Sequence, residues 1–88
     1  MAKKIIVKSE IITEDKILKG DGYYYVYIRN GGTAKATAFS ALSILASGAY
    51  SLPSYTHDGF YTDMPIVFTN TGGQTQLLEV IRLYSVEE

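Results

Sequence analysis

Apolar residues in this chain come in short bursts, separated by Gly, Asn, Asp and Ser, which is the spacing of strands and turns. The stretch KKIIVKSEIIT (3–13) interleaves apolar and charged positions and predicts a first strand ending near Glu14-Asp15. LKGDGY is a turn, with Gly20 and Gly22 free to adopt positive φ. YYYVYIR (23–29) predicts the next strand, because aromatic and β-branched side chains suit a pleated surface. Asn30-Gly31-Gly32 then predicts a hairpin turn. The strand leaving it, TAKATAF, alternates Thr33, Lys35 and Thr37 with Ala34, Ala36 and Ala38.

The segment AFSALSILASG supports two periods. Phe39, Leu42 and Leu45 repeat at helical spacing, whereas Leu42, Ile44 and Ala46 share one face of a strand. The hairpin expected before it commits the backbone to extension, so a strand is expected, with one short helix near residues 38–46 as the alternative. Residues 48–65 form a long connection punctuated by Pro53, Asp58-Gly59 and Pro65, with a short strand over Ala49–Leu52. IVFT, the loop NTGGQ and a last strand TQLLEVIRLYSV follow. That last strand is apolar on both faces, with Leu78, Val80 and Tyr84 on one and Leu77, Ile81 and Leu83 on the other. Such a strand lies inside a sandwich or under a second subunit. YVYIRNGGTAKA and PIVFTNTGGQTQ echo each other, which is expected where two hairpins use the same turn chemistry. The pattern therefore predicts a single all-β domain over residues 1–88, a small antiparallel β-sandwich or barrel of about six or seven strands.

Composition narrows the chemistry. The chain has 88 residues, no cysteine and one histidine, so disulfides and thiolate metal sites are excluded and a zinc site would need carboxylates for nearly all its ligands. Eight basic and nine acidic residues leave a formal charge of -1, with no basic footprint for nucleic acid. No apolar run approaches the roughly 20 residues of a membrane helix. The apolar stretch after Lys3-Lys4 is cut to three residues by Lys8, short of a signal-peptide core. No nucleic-acid or membrane partner and no cofactor is expected, and the chain is expected to be made and used in a cytoplasm or in a particle assembled there.

The densest polar stretch, YTHDGFYTDM, carries His57, Asp58 and Asp63, which could form a base with an orienting carboxylate or part of a metal site. Asp58-Gly59 is a turn signal and no second histidine is present, so a solvated loop is expected. The glycine-rich pieces lack the lysine and helix start of a phosphate loop. No catalytic residue is assigned. On an extended strand Tyr23, Tyr25 and Tyr27 would project from one face about 7 Å apart. An aromatic row with hydroxyl tips could pack against a subunit, line a core or stack a ligand such as a sugar. Base stacking would call for a basic groove, and sugar binding for carboxylate and amide partners beside the rings.

VYIRNGGTAKA followed by LASGAYSLP resembles Ig-like and related β-sandwich modules, and the closing PIVFTNTGGQTQLLEVIRLY is similar to the terminal hairpin of small tailed-phage virion proteins. Those include head-decoration and auxiliary capsid proteins. The resemblance implies a non-enzymatic structural protein of a virion assembled in the host cytoplasm. It would bind other subunits, itself or a major capsid protein, and form homo-oligomers. Tyr23, Tyr25, Tyr27, Leu78, Val80 and Tyr84 are the expected interface. A ligand-binding β-sandwich, with carbohydrate as its ligand class, is the alternative.

Overall fold

The computed structural model describes residues 3–53 and 61–87, which form an all-β protein with no helix among them. The strands are β1 (Lys3–Ile12), β2 (Lys16–Leu18), β3 (Tyr25–Asn30), β4 (Lys35–Ala38), β5 (Leu42–Ile44), β6 (Ala49–Pro53), β7 (Met64–Thr69) and β8 (Leu78–Glu87). They build two four-stranded antiparallel sheets, ordered β1-β8-β3-β6 and β2-β7-β4-β5, packed as a sandwich. The strand not anticipated is β2, whose three residues are too few to print an alternating pattern.

Cross-strand partners share a face, so register decides what meets in the middle. In the first sheet Leu78 stands between Ile12 and Asn30, and Val80 stands beside Ile28. In the second sheet Leu18 faces Met64, Ile66 faces Ala38, and Ala36 lies between Phe68 and Ile44. These side chains, with Tyr23 and Val26, are the buried core. Ala34, Ala36 and Ala38 are small where the opposing sheet supplies Ile, Val and Leu, the large-against-small interdigitation that close packing demands.

Over residues 38–46 the strand expectation holds for Leu42–Ile44, with a turn at 39–41, and the helix alternative does not hold. β4 and β5 make a hairpin in which Ala41 N–H donates to Ala38 O at 3.1 Å. Its central residues Phe39 and Ser40 have φ of 56° and 57°, the left-handed sign that matches strand twist in a tight hairpin. Leu45, the last residue of the helical spacing, is 64% exposed, so that period marks no buried stripe.

The Asn30-Gly31-Gly32 turn is not a hairpin. β3 belongs to the first sheet and β4 to the second, so these residues carry the chain across the sandwich as an arch. Asn30 is wholly buried at the crossing. Its Nδ2 donates to Ala34 O at 2.8 Å and to Ile44 O at 2.9 Å, and its Oδ1 accepts from Gly32 N–H at 2.9 Å. A second arch, from β7 to β8, lies alongside it. Thr75 O accepts from Thr33 and Ala34 N–H, and Leu77 O accepts from Gly31 and Gly32 N–H.

The echo between the two Asn-Gly segments is therefore more than shared turn chemistry. Asn70 repeats the bonds of Asn30: its Oδ1 accepts from Gly72 N–H at 2.9 Å and its Nδ2 donates to Gln74 O at 2.9 Å. Exchanging each strand of the first four with the one four places later turns β1-β8-β3-β6 into β5-β4-β7-β2, which is the second sheet read from its other edge. The fold is two intertwined four-strand units, each lending two strands to each sheet.

Candidate interaction surface

A half-covered antiparallel sheet normally turns polar residues outward. The outer face of the first sheet does not. Tyr25 stands between Leu83 and Pro53, and Tyr27 between Ile81 and Ser51. β1 continues the face with Val7 opposite Leu83, Ser9 opposite Ile81 and Ile11 opposite Glu79. Ile5, Val7 and Ile11 are 52%, 61% and 65% exposed, while Tyr25, Tyr27, Ile81 and Leu83 are half-buried. An Arg29–Glu79 ion pair of 3.3 Å closes one end of this surface. A depression of about 470 Å³ lies between β1 and β8, lined by Ser9, Glu10, Ile11, Glu79, Val80 and Ile81.

The expected interface residues divide. Tyr25 and Tyr27 are on this surface. Tyr23, Leu78 and Val80 are buried in the protein's own core and offer a partner nothing. Tyr23 leaves the row because the strand proper begins at Tyr25: Gly22 has φ of 96° and the backbone bends at Tyr24, so alternation cannot be extended back to residue 23. Ile5, Val7 and Ile11 were missed. The signal available for them was apolar residues at both odd and even positions of KKIIVKSEII, as in β8.

Tyr84 lies on the other face of β8, where it packs edge-on against Tyr23 with ring centroids 6.3 Å apart. Its hydroxyl donates to Asp21 Oδ1 at 2.7 Å, and Lys8 Nζ sits 4.8 Å from its ring centroid. Burial first, then the bond to the Asp21 carboxylate, push the Tyr84 hydroxyl up to about 12, and burial raises Tyr23 as well. A tyrosine held above its unfolded value near 10 keeps its proton in the folded state while the unfolded chain loses it. The stability this gives is complete below pH 10 and is lost as pH climbs toward about 12. Denaturant melts from pH 9 to 12 are expected to show falling stability above pH 10, with a shallower fall in Tyr84→Phe. Equal slopes in the two proteins would contradict the assignment.

Of the residues weighed for chemistry, His57 and Asp58 lie outside the described residues. Asp63 accepts from Gly20 N–H at 3.0 Å and pairs with Lys19 at 3.4 Å. The Gly20 bond, more than the Lys19 charge, holds its carboxyl below the usual range. Asp63 thus ties the β2–β3 connection to the start of β7. Glu10 is the other polar junction, joining Arg82 at 3.2 Å and Lys16 across the open side of the sandwich. Among the described residues no group of three His, Cys, Asp or Glu is placed to hold a metal ion. No family model, curated protein or solved structure matches the chain.

Proposed function

We propose that the chain is a non-enzymatic structural protein, a small virion component of the tailed-phage decoration or auxiliary-capsid kind, which docks on neighbouring coat subunits through the outer face of its first sheet. One observation carries this reading: three adjacent strands, β1, β8 and β3, turn Ile5, Val7, Ile11, Ile81, Leu83, Tyr25 and Tyr27 toward solvent. A contiguous apolar face rimmed by Arg29–Glu79 suits a protein neighbour, because burying it needs area and shape rather than a particular polar ligand. Half-buried tyrosines add contact area with few rotatable bonds.

The test is co-sedimentation of the purified protein with assembled coat particles whose major subunit is encoded beside its gene. Wild type is expected to pellet with the particles. Tyr27→Ala with Ile81→Lys is expected to stay in the supernatant while keeping its melting curve. Wild type left in the supernatant, or a double variant that pellets equally, overturns the reading.

A further inference from the structure

Each sheet of the sandwich has two edges, and natural proteins blunt such edges because unpaired N–H and C=O groups recruit other strands. Among the described residues three of the four edges are kept short. β2 and β5 are three residues long, and β6 is five residues long and ends in Pro53. The fourth edge, β1, carries Lys4 and Lys8 but runs for ten residues without Gly or Pro, and among the described residues it pairs on one side only, with β8. Its first residues, with the end of β8, continue beyond β3 as a two-stranded ribbon in which Lys4 pairs with Val86 and Ile6 with Tyr84. Two strands alone are marginal in water.

We infer that β1 is the dimer edge: a second copy of this chain adds its own β1 antiparallel, across a two-fold axis at Val7, making one eight-stranded sheet. Charge, the length of overlap and the seat of Lys8 together select the register. With Val7 opposite Val7, Lys4 stands opposite Glu10 of the other copy twice over, Ile5 opposite Ser9, and Ile6 opposite Lys8. A shift to an axis at Lys8 opposes two lysines, and a shift to Ile6 sets Lys4 against Lys8, each a like-charge pair in the sheet. A shift by one residue in the pairing turns the apolar face of one copy to the other side of the sheet. An axis at Ser9 would also set Lys8 against Glu10, but over a shorter stretch of β1, and it would draw Lys8 from its place over the Tyr84 ring. Glu10 already accepts from Arg82 and Lys16, and its carboxylate has lone pairs left for Lys4 of the second copy. The joined sheet doubles the apolar outer face, so this inference deepens the proposed docking role and rests on it only for the claim that this sheet meets protein.

Sedimentation equilibrium of the wild type is expected to give twice the 9.7 kDa chain mass. Val7→Lys, which sets two lysines against each other on the axis, is expected to give the monomer mass, and Lys4→Glu to raise the dimer Kd roughly tenfold through two new like-charge pairs. Tyr27→Ala, on the face and away from the edge, leaves the mass dimeric. Since the chain has no cysteine, Val7→Cys is expected to form a disulfide dimer on mild oxidation. Ile11→Cys is not, because its copies would sit ~27 Å apart along the strands. A monomeric wild type, a dimer indifferent to both charge variants, or cross-linking of Ile11→Cys as readily as Val7→Cys overturns the inference. A wild-type monomer that still pellets with coat particles would remove the edge and keep the docking face. A dimer that ignores the particles would do the reverse.

Discussion

Asn30→Asp is expected to destabilise the protein by about 3–5 kcal/mol at neutral pH, the cost of leaving a buried charge uncompensated. The change is one atom group, but it falls where the two sheets are joined. Nδ2 now gives its two hydrogens to Ala34 O and Ile44 O, 2.8 and 2.9 Å away, in a site with no solvent exposure. A carboxylate would bring an acceptor against two acceptors and lose both bonds. For a chain of 88 residues, whose total stability is on the order of 4–13 kcal/mol, that is a large share. The pH dependence supplies a second readout. Such an aspartate is pushed above the unfolded carboxyl value near 4, because its charged form is the one penalised. Its contribution is therefore retained below pH 4 and lost as pH rises through the folded value. Relative to wild type, the variant should be closest in stability in acid and furthest away at neutral pH. Asn70→Asp is the control, since Asn70 makes the same two loop bonds while exposed, and a loss below about 1 kcal/mol is expected there. Urea melts of the two variants at pH 3.5 and 7 decide the matter. Equal losses at both positions would mean that burial of Asn30 is not what makes it matter.

The alternation of apolar and polar positions carried the fold class because strands print a period of two wherever one face is buried. Thr33–Ala38 and Val26–Ile28 are examples, with buried Ala34, Ala36, Ala38, Val26 and Ile28 at the expected parity. What alternation cannot carry is which sheet a strand joins. Every connection except β4–β5 crosses the sandwich, and a crossing arch and a hairpin both need small polar residues. Asn30-Gly31-Gly32 was legible as a turn for that reason, and its destination was not. The same limit explains the tyrosines. Tyr25 and Tyr27 follow the strand parity, whereas Tyr23 lies beyond a bend and turns into the core. Leu78 and Val80 were ambiguous because β8 is apolar on both sides. Only the register against β3 and β1 assigns that pair inward and Ile81 and Leu83 outward.

Gly32→Ala is expected to cost roughly 3 kcal/mol, combining overpacking with the loss of arch hydrogen bonds. The glycine is not needed for a left-handed backbone, since the described glycines with positive φ are Gly22, Gly72 and Gly73. It is needed for room. A Cβ on Gly32 would stand 2.3 Å from Thr75 O and 2.9 Å from Leu77 N, both backbone atoms that no side-chain rotation can move. Thr75 O is the acceptor for Thr33 and Ala34 N–H, so pushing it away breaks the bonds that hold the two arches together. Gly73 is the informative contrast. Nothing lies within 4 Å of a Cβ there, and its φ of 68° is one that asparagine tolerates, so Gly73→Asn is expected to change stability by less than about 0.5 kcal/mol. The two glycines follow Asn30 and Asn70 by two and three residues, yet one is required by space and the other by backbone conformation. If Gly32→Ala and Gly73→Asn lose similar stability in thermal melts, the arches are not packed as closely as the Thr75 contact requires. The consequence for assembly follows from where the arches sit. They join the sheets beside the start of β8, so a spread arch shifts Leu78 and Val80, and with them the strand that supports β1 and the face built on it.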